Sequence, residues 1–237
     1  MSPLPTALAF AASLMAAAAY PVAPPPAPAA ESGARLPLKD VVDHVQKRYD
    51  GAKDFRARFN QTLTNAAFAR KSSSTGEVLL KKPGRMRWNY AQPEPKMYLS
   101  DGNTLWLYEP EDKQAFKQDL KSSQLPSALA FLTGQGKLAS EFDIAFAPPA
   151  PKTPYGTARD YVLQLVPKTA QAQVKAIIFV VEPKTFDVRE SVITDQSGNV
   201  NDLIFSEIKV NTNVPDGTFK WSVPPGVRLI DTAKMGK

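Results

Sequence analysis

The sequence predicts a mainly β fold with a small α component: one antiparallel sheet of about ten or eleven strands and two or three helices. Three observations carry this. Period-two alternation of apolar and polar residues recurs along most of the chain, as strands with one dry and one wet face require. Glycine-bearing turns such as Asp101-Gly102-Asn103 and Ser197-Gly198-Asn199 separate the alternating runs at hairpin spacing. Helical periodicity is confined to two short stretches, near residues 36–50 and 125–133.

Composition bounds the rest. A chain of 237 residues with 43% hydrophobic content can bury one sizeable core. The absence of cysteine excludes disulfides, a thiolate nucleophile and a lipid-bearing cysteine. A net charge of +6 permits contact with anionic surfaces, but the cations are dispersed along the chain and serve solubility first.

Residues 1–19 carry the apolar run LPTALAFAASLMAAAA, too short and too rich in alanine to span a bilayer, with small residues at Ala16–Ala19 suited to cleavage. A signal peptide is expected there, although its start lacks Lys and Arg. Residues 20–34 are rich in proline and alanine and form an extended linker. One folded domain follows over 35–237.

That domain opens with an amphipathic helix in which Leu38, Val41, Val42, Val45 and Tyr49 share a face and His44, the only histidine, lies on the polar side. Residues 55–63 alternate as the first strand, and Thr64–Ser74 is expected to be a polar loop. Four strands then follow in GEVLLKKPGRMRWNYAQPEPKMYLSDGNTLWLYEP. Within it, Met86, Trp88 and Tyr90 alternate with Arg85, Arg87 and Asn89, so the arginines are expected on a solvated outer face. Residues 115–120 form another strand. In 125–133 the period changes, Pro126 suits a first helical turn and Gly134 a stop; this helix is apolar almost all round. Strands are expected over 138–146, 161–166, 174–181, 186–194, 201–211 and 218–223, with a proline-rich loop at 147–154.

Catalytic chemistry finds little support. Asp40 and His44 lie one helical turn apart without further ligands, so no metal site forms; glycine-rich phosphate loops are absent; Glu109 and Glu111 fall at a strand end. No enzyme activity and no cofactor are expected. Nucleic-acid binding is a rival, because Lys81, Lys82, Arg85 and Arg87 neighbour Trp88 and Tyr90, but alternation puts cations and aromatics on opposite faces. A third reading is a carrier of apolar ligands, its wall made by Met86, Trp88, Tyr90 and Trp106. A permanently sealed core accounts for the same residues about as well.

The ordered set KKPGRMRWNYAQPEP and SDGNTLWLYEP resembles the signature region of the outer-membrane lipoprotein carrier proteins, the LolA family, and the similarity runs from about Val41 to Val227. The resemblance implies an unclosed antiparallel barrel with a short helical lid over an apolar cavity. It implies a monomeric periplasmic chaperone that takes acylated lipoproteins from an inner-membrane ABC transporter and hands them to an outer-membrane acceptor. A carrier or sensor of phospholipid or glycolipid remains the alternative. The family's basic-Pro position, usually arginine, falls on Lys82, which is then expected to latch the lid by donating to carbonyls at the end of the 125–133 helix. The lid motif maps onto Pro126, Leu129, Ala130 and Phe131, and Leu129 and Phe131 are expected to face the cargo.

Overall fold

The computed structural model describes residues 35–120, 136–148, 152–171 and 173–232. The expected signal peptide, the linker and the 125–133 helix with Leu129 and Phe131 lie outside the described residues.

The folded unit begins with α1, Leu38–Asp50, whose buried residues Val41, Val42, Val45 and Tyr49 form the predicted apolar stripe. Asp40 in its first turn and Lys47 and Arg48 in its last match the helix dipole. Twelve strands follow among the described residues, one or two more than the sequence suggested. They are β1 Asp54–Asn65, β2 Arg70–Lys81, β3 Arg85–Gln92, β4 Lys96–Asp101, β5 Thr104–Glu109, β6 Gln114–Asp119, β7 Phe142–Phe146, β8 Tyr161–Pro167, β9 Ala176–Val181, β10 Val188–Thr194, β11 Val200–Val210 and β12 Arg228–Asp231. A second helix, α2, covers Leu138–Glu141.

The strands form one sheet in the order β12-β6-β5-β4-β3-β2-β1-β11-β10-β9-β8-β7, with β12 and β7 as its edges. All neighbours are antiparallel except β12, which pairs in parallel with β6. Leu105 of β5 and Phe142 of β7 nevertheless belong to one core with α1. Nine strand spacings separate those strands, roughly 40 Å in a flat sheet, so the sheet is curled around α1. Its inner face carries Phe55, Ala57, Phe59, Val78, Leu80, Met86, Trp88, Leu163, Leu165, Ile177, Phe179, Leu203 and Phe205.

Four local expectations are corrected. Residues 70–74 are strand, not loop: β2 pairs with β1 along twelve residues, from Asp54–Lys81 to Asn65–Arg70. Ser72, Ser73 and Ser74 lack an apolar alternation because they lie beyond the packed core. Residues 138–141 are helical because Leu138 N donates to Gln46 Oε1 of α1 and Lys137 N to Glu141 Oε1. Residues 218–223 are not a strand: a 3-10 turn, Asp216–Phe219, is followed by irregular chain. Phe219 is anchored there by burial against Leu79 and Val214 on the sheet's outer face. Finally, β12 lies beyond Pro224-Pro225-Gly226, where the sequence suggested an end.

The route to the outer face is set by Asp54, which is buried and accepts from Thr212 N at 2.7 Å, Thr212 Oγ1 at 3.0 Å and Asn213 N at 3.0 Å. Asn211 and Asn213 take positive φ there, and the chain turns off the end of β11. It then crosses β3 and β4 on the side opposite α1.

Candidate functional site

The inner face divides into a packed half and an open half. In the packed half the ring of Phe59 lies 5.0 Å from Trp88 and 4.9 Å from Tyr90, centroid to centroid, in edge-to-face geometry. Tyr90 continues to Tyr98 at 5.8 Å, and Trp88 approaches Phe205 at 6.5 Å. Gly76 makes this cluster possible. It pairs with Phe59 on β1 and Tyr90 on β3, and a Cβ there would stand 2.7 Å from the Phe59 ring and closer still to Asn89 O. Phe59 occupies the space that a side chain at 76 would need.

Met86 and Trp88 are 3% and 4% exposed, so in this state they form core rather than an accessible wall. Tyr90 is half-buried, with Lys96 Nζ 4.7 Å from its ring centroid. Its hydroxyl is held above its usual pKa chiefly by burial, with Tyr98 adding to the rise and the Gln61 hydrogen bond opposing it.

Trp106 is on the other face. Met86 pairs with Ser100 and Ser100 with Leu105, so even-numbered residues of β3 and β4 share a face with odd-numbered residues of β5. The Asp101-Gly102-Asn103 turn inverts the parity, and Leu105 and Leu107 take the place expected of Trp106. On the outer face Leu79, Arg87, Leu99 and Trp106 are successive cross-strand partners.

Arg85 and Arg87 are accordingly not a solvated face. Arg85 Nη1 lies 2.7 Å from Asp216 Oδ1, and Arg87 Nη1 donates to Thr218 O at 3.1 Å. Lys81 also pairs with Asp216 and donates to Val214 O at 2.6 Å. These cations fasten the C-terminal segment across the sheet. Lys81 and Arg85 hold the Asp216 carboxyl below its usual range, the Lys81 hydrogen bond contributing most.

Lys82 is a helix clamp. Its ammonium donates to Tyr49 O at 2.7 Å and Asp50 O at 3.0 Å, two carbonyls at the C-terminal end of α1. These bonds go to α1; the expected bonds to the 125–133 helix concern residues outside the described ones. The chemistry is the anticipated one, a cation satisfying carbonyls that a helix end leaves unpaired. Partial burial lowers the Lys82 pKa and Lys137 adds to this, while Asp50 opposes it. Lys137 itself pairs with Asp50 at 2.8 Å, so α1 and the segment before α2 are tied at the same point. His44 is exposed as expected, but its ring stacks on Phe186 at 4.4 Å.

The open half begins past Gln61, a buried amide that donates to Asn201 Oδ1 at 2.9 Å and closes off the aromatic cluster. Beyond it lies a groove of about 690 Å³ with Leu63, Ile193 and Val200 as apolar lining and Arg70, Asp195 and Asn201 among its polar groups. Leu63 pairs with Ser72 and Asn201, and Asn201 with Ile193, so the groove continues the inner face of β2, β1, β11 and β10. Its volume falls within the range of ligand pockets, about 300–1,000 Å³. Leu63 belongs to the predicted apolar periodicity of β1 and was within reach of sequence reading; Arg70 and Ser72 were hidden by taking 64–74 as a loop.

Among the described residues no group of three or more His, Cys, Asp or Glu side chains is placed to hold a metal ion. No helix among them is long and apolar enough to cross a membrane.

Comparison with known proteins bears on these features. The family model described as outer membrane lipoprotein carrier protein LolA matches residues 50–222. An outer-membrane lipoprotein carrier protein of Nitrosomonas europaea is 28% identical over 196 residues, covering 82% of this chain and 91% of the relative. The corresponding protein of Pseudomonas putida is 26% identical over 192 residues, covering 80% and 85%. Among solved structures, an uncharacterized conserved protein from Thermus thermophilus superposes with a TM-score of 0.51 at 13% identity, over 81% of this chain and 98% of that one. This last likeness concerns the fold alone.

Proposed function

The chain belongs to the LolA family of outer-membrane lipoprotein carrier proteins, and on that premise we propose that it shelters the acyl chains of lipoproteins on the inner face of its curled sheet. The observation that carries this reading is the match over residues 50–222, which spans the aromatic cluster, the Lys82 clamp and the groove-lining strands. The proposed cargo route is periplasmic, from an inner-membrane ABC transporter to an outer-membrane acceptor. The apolar segment at residues 4–19 supports export.

The physics of the task explains why a carrier suffices. Each acyl CH₂ kept from water contributes ~0.8 kcal/mol, so a diacylated or triacylated protein does not leave a bilayer unaided. The carrier needs an apolar surface that opens and closes at low cost, and no covalent step. α1 contributes by its clamp: the helix is held at its C-terminal end by charged hydrogen bonds, which break and re-form without unfolding the sheet. Energy for loading comes from the transporter in this reading, and unloading runs downhill to the acceptor.

The test is recovery of cargo. The purified protein, incubated with an acylated lipoprotein in a membrane source and its releasing transporter, is expected to yield a soluble one-to-one complex. Leu63→Glu combined with Val200→Glu, both at incompletely buried positions, places two carboxylates in the groove and is expected to abolish the complex, with thermal unfolding checking that the sheet is intact. Recovery that is indifferent to both substitutions would remove the groove from the binding surface. Recovery of phospholipid in place of lipoprotein would redirect the function to another lipid.

A further inference from the structure

Phe68 is the most exposed large apolar side chain among the described residues, at 82%, whereas Ile204 and Leu229, which come next, stand at 47%. It sits at the tip of the longest hairpin in the sheet, between β1 and β2, in the run Asn65-Ala66-Ala67-Phe68-Ala69-Arg70-Lys71. The tip is held in shape. Phe68 N donates to Asn65 Oδ1 at 3.0 Å, and Ala66 N donates at 3.0 Å to Asn199 Oδ1 of the β10–β11 turn. Ala69 takes a φ of 49°, which tightens the return into β2.

The tip itself carries two cations, one on each of its faces, and the neighbouring Asp195 across the groove is the nearby anion. Arg70 pairs with Asn65 on the inner side, and the next residue, Lys71, pairs with Thr64 and points to the outer side. The carboxylate in the groove nearby, Asp195, is engaged by Ser197 N, Asn199 N and Asn199 Nδ2 at 2.8–2.9 Å. Arg70 and Asp195 also line the groove, so the mouth of the groove opens beside the tip.

We propose that this hairpin tip docks on an anionic lipid bilayer, with Phe68 entering the headgroup–acyl boundary and Arg70 and Lys71 meeting lipid phosphates. An aromatic ring on a tip of small residues, bracketed by cations, has the chemistry of interfacial anchors. Each nearby cation adds attraction to an anionic leaflet that decays within a Debye length. One ring and two cations give brief contact rather than permanent anchorage, which suits a protein that must leave again. The contact would place the groove mouth at the surface where acyl chains enter or leave. The proposal deepens the carrier reading, but vesicle binding is measured without cargo, so either can fail while the other stands.

The chain has no cysteine, so Ala67→Cys gives a single site for an environment-sensitive dye. Cargo-free labelled protein is mixed with protein-free vesicles, either of phosphatidylethanolamine with phosphatidylglycerol or of phosphatidylcholine alone. A blue shift is expected on the anionic vesicles only, reversed by salt. Phe68→Asp in the labelled chain is expected to lower partitioning about tenfold, the scale of losing one buried aromatic side chain. Arg70→Ser with Lys71→Ser is expected to abolish the preference for phosphatidylglycerol. Thermal unfolding of each variant checks that the sheet is intact. A dye that stays in water while the protein floats with vesicles would assign binding to another segment and overturn the proposal. So would partitioning that survives Phe68→Asp, or absence of vesicle binding, which would leave a protein pocket as the occupant of the tip.

Discussion

Lys82 Nζ lies 2.7 Å from the carbonyl oxygen of Tyr49, joining the turn between β2 and β3 to the end of the helix that fills the curled sheet. The same Tyr49 reaches the opposite wall, where its hydroxyl accepts from Val188 N of β10 at 3.0 Å. Beside it, Arg48 Nε and Nη2 grip both oxygens of Asp187 at 2.8 and 3.2 Å. The end of α1 is therefore pinned to both sides of the sheet, and Lys82 is the only one of the three ties that comes from the β2–β3 side.

Lys82→Leu is expected to destabilise the fold by roughly 1–2 kcal/mol, toward the lower end of the range of about 1.5–3 kcal/mol for hydrogen bonds to charged groups because the side chain is partly solvated. Urea unfolding measures this. Lys82→Arg is expected to retain most of the stability, since a guanidinium can reach both carbonyls. With cargo bound, the Leu variant is expected to release lipoprotein to an acceptor more slowly than wild type. Identical denaturation midpoints for the three proteins would make Lys82 an ordinary surface cation.

Gly76→Ala is expected to cost roughly 2 kcal/mol or more, because the new methyl meets Asn89 O and the Phe59 ring, and backbone cannot yield as a side-chain tip can. Combining it with Phe59→Leu is expected to recover only the ring's share, leaving the backbone clash. Calorimetric midpoints of the single and double variants separate the two contributions.

Glu190 predicts a pH effect. It is half-buried on the outer face, and burial, with Asp202 reinforcing it, raises its carboxyl from the ordinary 4.5 to about 7. Asp160 pushes the same way, while a hydrogen bond from the Gly156 backbone and the Arg189 charge oppose it. Asp202 is itself raised by burial, as is the Tyr155 hydroxyl, on which Asp202 and Glu190 act in the same direction. Because the folded value lies above the unfolded one, the contribution to stability is complete below about 4.5 and is lost as pH rises through about 7. Glu190→Gln is expected to gain roughly 1–2 kcal/mol over wild type near pH 8, less than the full shift implies because the group is half solvated. Urea midpoints between about pH 5 and pH 8 should be flatter for the variant. Parallel curves for the two proteins would contradict this.

Sequence reading succeeded where burial writes a pattern. The stripe of α1 and the alternation of β1, β3 and β8–β11 come from elements with one face in the core, so periodicity located them within a few residues. It failed where pairing rather than burial decides. Residues 70–74 are polar on both faces yet hydrogen-bonded throughout to β1. Trp106 was assigned the wrong face because parity across a three-residue turn depends on register, which composition does not record. The outer-face ties of Lys81, Arg85 and Arg87 depend on Asp216 and Thr218, remote in sequence and brought near only by the turn after β11. The Lys82 position came from the family motif, and its bonds to the end of α1 were not foreseen because any helix end offers such unpaired carbonyls.

The parallel pairing of β12 with β6 sets the timing of assembly. Synthesis proceeds from the N-terminus, so β1–β6 can close as consecutive hairpins, with only short loops to order. The outer edge of β6 then waits for Arg228–Asp231, which emerge after every other strand of the sheet. Throughout that interval the nascent chain presents an unprotected row of amides and carbonyls, the feature through which sheets recruit other chains. The final residues of the sheet thus act as a seal against self-association, and a chain ending before Arg228 would keep its inner face but lose its protection from its own copies.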